Sequence, residues 1–108
     1  SNMGLAVNHT KMITEFNLEL PNFYAAIHGN VHVMKHYGAG KDALKPPKYF
    51  VMADFGVWPN KAARDAKVRP LMLDRTSAGP FDVAPTDNIY ELVYNKYKSQ
   101  WRYFVDDE

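Results

Sequence analysis

Tyr49-Phe50-Val51-Met52-Ala53-Asp54-Phe55-Gly56-Val57-Trp58 is the stretch on which the fold turns. It is dense in aromatic and β-branched residues and carries a single charge. Lys45-Pro46-Pro47-Lys48 precedes it and Pro59-Asn60 follows it. Prolines at both borders break regular structure, and the composition between them suits a pleated, buried surface. The expectation is a buried strand at the centre of a sheet.

Upstream, residues 12–20 alternate, with Met12, Thr14, Phe16, Leu18 and Leu20 on one side and Ile13, Glu15, Asn17 and Glu19 on the other. Period two predicts one half-buried strand, broken by Pro21-Asn22. Residues 23–37 fit either a helix with Phe23, Ala26, Ile27, Val31 and Met34 on one face, or a hairpin about Gly29-Asn30. A mid-helix glycine costs about 1 kcal/mol relative to alanine and valine is a weak helix former, so the hairpin is preferred. Residues 38–48 read as a surface loop rich in glycine and proline.

Downstream, Asn60 as N-cap and Pro70 as stop frame a short polar helix. Leu71-Met72-Leu73 predicts a brief strand, and residues 76–85 a loop with an extended piece at 81–83. Ile89, Leu92, Val93, Tyr97, Trp101 and Phe104 recur at helical spacing behind Thr86 or Asp87 as a cap. This helix is preferred over a pair of strands at 89–94 and 101–105. Together these elements predict an α+β fold, a single small domain over residues 3–108. Its sheet is mostly antiparallel, of about four or five strands, with a short central helix and a C-terminal helix packed on one face. Ser1-Asn2 resembles the remnant of a cleaved expression tag.

Composition narrows the class. A chain of 108 residues with 46% hydrophobic and 14% aromatic residues has the makings of one ordered core. Size scaling predicts about 6,000 Å² of accessible surface when folded, against about 18,000 Å² unfolded. With no cysteine, disulfides, cysteine-ligated metals and thiol chemistry are excluded. No apolar run approaches a membrane span, so the expectation is a soluble, cytoplasmic protein with no membrane partner.

The net charge of +1 hides an uneven distribution. Residues 35–69 hold eight basic groups against three acidic ones, a balance of +5, while the segments on both sides are acidic. A concentrated positive field attracts phosphate or an acidic partner. Lys45, Lys48 and Tyr49 join lysines to a stiff polyproline turn and an aromatic ring, and Lys61, Arg64 and Lys67 share a broad helical face. These six residues are the candidate surface for nucleic acid or an acidic partner. Tyr90, Tyr94, Tyr97 and Trp101 follow a 4, 3, 4 spacing beside the core face, a candidate protein interface if exposed.

Other constellations are weaker. His28, His32 and His36 recur every fourth residue, but on a strand neighbours stand about 13 Å apart, too far for a pair to chelate metal. Gly38-Ala39-Gly40-Lys41-Asp42 lacks the upstream glycine and the Ser or Thr of a phosphate-binding loop. Asp54 lies inside an apolar strand, where a carboxylate calls for a basic partner. No triad, carboxylate pair or cofactor motif is assembled, so no catalytic residue and no cofactor is expected. The leading expectation is a small non-enzymatic interaction module that docks a protein partner or forms a homodimer. The alternative is a nucleic-acid-binding protein using residues 35–69, and the third is a metal protein or enzyme around the histidines.

Overall fold

The computed structural model describes residues 3–107, so the readings of Ser1-Asn2 and of Glu108 lie outside the described residues. In chain order the elements are β1 (Gly4–Val7), β2 (Lys11–Ile13), β3 (Leu18–Leu20), β4 (Phe23–Ile27), β5 (His32–His36), β6 (Lys48–Trp58), α1 (Lys61–Asp65), β7 (Met72–Phe81), α2 (Ile89–Lys98) and β8 (Phe104–Asp107). The fold is α+β with a mostly antiparallel sheet, as the composition and periodicity predict. It has more strands than expected: six in the main sheet, and β2 with β3 as a separate ribbon.

β6 is the spine. β4 and β5 lie end to end along one of its edges and β7 runs along the other, all antiparallel, while β4 hands the sheet on to β1 and then β8. Period two along β6 divides its side chains cleanly. Val51, Ala53, Phe55 and Val57 are buried in the main core with Leu5, Val7, Phe23 and Ala25. α2 covers this face with Val93, Tyr94 and Tyr97. The Tyr97 ring stacks on Phe55, centroids 4.0 Å apart and 2° from parallel, and Tyr94 meets Phe55 edge-on at 5.1 Å. Tyr97 also donates its hydroxyl to Asp74 Oδ2 at 2.9 Å, and Asp74 pairs with Lys11 at 2.8 Å. One polar chain thus ties α2 to β7 and to the ribbon. Burial, then the Asp74 charge, push the Tyr97 hydroxyl far above its ordinary value.

The opposite face is covered only at one end, where Tyr24, Ala26 and Trp58 pack against Ala63 of α1. The accessible surface is 7262 Å², above the roughly 6,000 Å² that scaling predicts for this mass. The molecule measures 48 × 32 × 25 Å. An elongated sheet with one face largely open accounts for that shape.

Several local expectations are corrected. Residues 12–20 are not one strand: a 3-10 turn at Thr14–Phe16 and a left-handed Asn17 (φ 50°) fold them into the β2–β3 hairpin. Ile13 is the fully buried residue, and Met12, Phe16 and Leu18 are exposed, because the turn interrupts the alternation. Residues 23–36 form strands, as preferred over the helix, but not a hairpin. The sum of paired residue numbers changes by two between Ile27↔Phe55 and His32↔Met52, so both strands follow β6 in one direction. Gly29 (φ 93°) supplies the kink between them, and His28 N–H donates to Asp54 O at 2.8 Å to hold it. Residues 72–81 form one long strand where a brief strand and a loop were expected. Gly79-Pro80 read as a loop, yet proline is tolerated here because β7 is an edge strand and the pairing register shifts nearby. α2 stops at Lys98, its N-cap is Asn88 in the left-handed region rather than Thr86 or Asp87, and residues 104–107 become a strand.

Candidate functional site

The uncovered face presents the other half of the β6 alternation. Lys48, Phe50 and Met52 stand beside their β5 register partners His36, Met34 and His32. On the far side β7 places Arg75 opposite Asp54 and Ser77 opposite Met52. Arg75 Nε donates to Asp54 Oδ1 at 3.2 Å, so Asp54 has the basic partner its position required. His28 meets the Trp58 ring edge-on at 6.1 Å, and His36 meets Phe50 at 6.2 Å. The three histidines therefore share a face but are spread along it. No three His, Asp or Glu side chains converge on a metal position among the described residues.

Three cavities follow one another along this face. The first, about 250 Å³, is lined by Met34, His36, Phe50 and Met52. The second, about 290 Å³, shares Met52 with it and adds His28, His32 and Arg75. The third, about 470 Å³, shares His28 with the second and is walled by Trp58, Arg64, Lys67 and Arg69. A separate groove of about 540 Å³ lies over Ala6 and Tyr24 beside β8. Its charged pair, Lys61 and Asp107 at 2.6 Å, is internally neutralised.

The predicted basic surface is split by this geometry. Lys45 pairs with Asp42 at 3.0 Å in the exposed loop, and Lys48 pairs with Asp82. Tyr49 points to the face opposite Lys48, beside Lys35 across the β5–β6 ladder. The ring on the open face is Phe50. Lys61, Arg64 and Lys67 lie past the far end of β6, about 33 Å from Lys48 at strand rise. Arg64 contacts the Tyr24 hydroxyl at 3.5 Å, Met3 O at 3.2 Å and Asp65 at 3.8 Å. Of the six, Lys48 stands at one end of the strip and Arg64 and Lys67 at the other, while Lys45 sits in the loop, Tyr49 on the opposite face and Lys61 on the separate groove.

Of the four C-terminal aromatics expected as a candidate interface, two are buried. Tyr94 and Tyr97 are buried in the core, Trp101 packs against it, and Tyr90 alone of the four is exposed. From Tyr94 to Trp101 the stripe faces inward because α2 covers the apolar surface of β6. Arg69 and Arg75, the cations that complete the strip, were not singled out in the sequence. Arg75 had one signal, its place in a stretch that alternates once β7 is recognised as a strand.

Compared with family models, characterised proteins and solved structures, the chain matches none.

Proposed function

We propose that this chain is a small non-enzymatic binding module that docks an extended polyanion, single-stranded nucleic acid, on the uncovered face of its sheet. The observation that carries the reading is the strip of three adjoining cavities between Lys48 and the Arg64, Lys67 and Arg69 group. Among the described residues Asp54 is the one carboxylate lining these cavities and is already paired with Arg75, while Asp82 pairs with Lys48 at the end of the strip. Phe50, Met34 and Met52 offer apolar and aromatic surface leading to the cationic Arg64, Lys67 and Arg69 end, the combination that holds unpaired bases and their phosphates. A protein-docking role resting on the C-terminal aromatics has less support, because Tyr94 and Tyr97 are buried and Tyr90 alone of the four is exposed.

The test is binding of labelled single-stranded oligonucleotides at two salt concentrations. Micromolar or tighter affinity that falls steeply with salt is expected, with a shallower salt slope in Arg75→Gln and Lys48→Gln. Absence of binding at low salt overturns the reading. Equal affinity for polyglutamate of matched charge would leave an acidic protein segment as the partner instead.

A further inference from the structure

We infer that the cavity walled by Arg64, Lys67, Arg69 and Trp58 is a subsite for a terminal phosphate monoester, so that the module grips the phosphorylated end of a single strand. This rests on the proposed docking face and adds a polarity to it. The cavity lies where the strip runs into α1 and the 66–70 connection, so a strand lying along the face ends there or must leave it.

Charge singles this cavity out. Three cations and His28 line it and no carboxylate does, whereas the middle cavity has one arginine already bound to Asp54. Lys67 and Arg69 form no ion pair among the described residues. Arg64 is held in place by Tyr24, Met3 and Asp65 and contributes a fixed charge. A terminal phosphate carries up to twice the charge of an internal diester and gains most from such a cluster. Ile27, Trp58, Val68 and Pro70 supply apolar wall for the adjoining sugar or base.

The subsite is built rather than incidental. α1 ends in a Schellman turn, with Val68 N–H donating to Ala63 O at 3.1 Å and Lys67 N–H to Arg64 O at 3.0 Å. Trp58 Nε1 donates to Val68 O at 2.7 Å, and Leu71 N–H to Val57 O at 2.8 Å, pinning the connection to β6. The turn demands a left-handed residue, ordinarily glycine, yet Lys67 occupies it at φ 59°. A lysine rather than a glycine at this turn places a cationic side chain on the wall of the cavity.

The experiment compares oligonucleotides of one sequence carrying a 5′-phosphate, a 3′-phosphate or hydroxyls at both ends. About tenfold tighter binding of one phosphorylated form is expected, and in Lys67→Gly with Arg69→Gln that preference is abolished, the phosphorylated and hydroxyl forms then binding equally and both more weakly, since these cations also close the docking face. Glycine suits the left-handed turn, so the double variant retains the fold, which circular dichroism checks. Inorganic phosphate and a free nucleoside monophosphate serve as competitors. Competition as strong as that of the phosphorylated strand would make this a small-phosphate site and overturn end recognition. Equal binding of all three oligonucleotides overturns the subsite while leaving the docking face intact, and binding of none overturns both.

Discussion

His9 Nε2 accepts the backbone N–H of Tyr103 at 2.8 Å, and the N–H of Arg102 reaches the same nitrogen at 3.0 Å. Two donors on one ring nitrogen place the imidazole proton on Nδ1. The ring also stacks on Tyr103, centroids 5.6 Å apart and 25° from parallel. Asn8 N–H donates to Tyr103 O at 2.9 Å, so residues 8–9 fix the entry into β8. His9→Ala is expected to cost about 1–2 kcal/mol and to speed amide exchange at residues 102–107 before the rest of the sheet. Unchanged exchange at Tyr103 would refute this. His9→Gln, whose carbonyl oxygen still accepts, should recover part of the loss.

Tyr24 and Asp107 give the stability two pH limbs. Burial, followed by its hydrogen bond to Asp107 at 3.0 Å, pushes the Tyr24 hydroxyl up to about 12 from an ordinary 10.0. A group raised in the folded state holds its proton there after the unfolded chain has lost it. Its contribution is complete below pH 10 and is lost as pH climbs toward about 12. Asp107 runs the other way: Lys61 first, then Tyr24, lower it, so its contribution exists above the ordinary carboxylate range and vanishes as pH falls through its lowered value. Urea midpoints across the pH range should therefore drop at both ends. Tyr24→Phe should make the alkaline drop shallower, the remainder coming from Tyr94 and Tyr97, which are also raised. An alkaline drop of unchanged steepness in Tyr24→Phe would exclude this origin.

β6 was legible because its signals are local: prolines at both borders, and an apolar content that fits only a buried strand. α1 was legible at its start for the same reason, since Asn60 Oδ1 does accept Ala63 N–H, at 2.8 Å. The failures share a different cause. Whether Gly29-Asn30 reverses the chain or only bends it depends on β6 being long enough to pair with both β4 and β5. Whether Tyr94 and Tyr97 are exposed depends on which sheet face α2 covers. The docking strip follows the same rule, because His28 after β4, Arg69 in the 66–70 connection and Arg75 on β7 come together only once all three segments are laid against β6. β1 was missed altogether: Gly4–Val7 is too short to show a period.

Gly56 is fixed by the ring beside it. A Cβ there would lie 2.6 Å from Trp58 Cη2 and 3.2 Å from Pro70 Cβ. Gly56→Ala must displace the indole that holds the 66–70 connection through Val68 O. A loss of about 1–3 kcal/mol is expected from overpacking. The accompanying mark is faster exchange at Val68 and Leu71, and a variant with normal stability and normal exchange there would contradict the arrangement.

Thr76 offers the opposite sign. It is 3% exposed and its Oγ1 has no hydrogen-bond partner among the described residues. A buried hydroxyl left unpaired forfeits its hydration for nothing. Thr76→Val keeps the branched shape suited to β7 and removes that penalty, so a gain of about 1 kcal/mol is expected, read as a rise of roughly 5 °C in Tm. A fall in Tm would mean that the hydroxyl is bonded in solution.

Tyr49 and Phe50 are neighbours in sequence on opposite faces of β6, and their truncations separate the proposed docking face from the rest of the surface. Phe50 borders a cavity of the strip together with Met34 and His36, while Tyr49 lies on the α2 side of the sheet. A base stacked on an aromatic ring contributes about 1–3 kcal/mol. Phe50→Ala should therefore weaken single-strand binding by about five- to 150-fold with little change in salt slope, since no charge is lost. Tyr49→Ala should leave affinity within about twofold. Equal losses from the two variants would place the strand elsewhere, and a loss confined to Tyr49→Ala would move the binding surface to the opposite face.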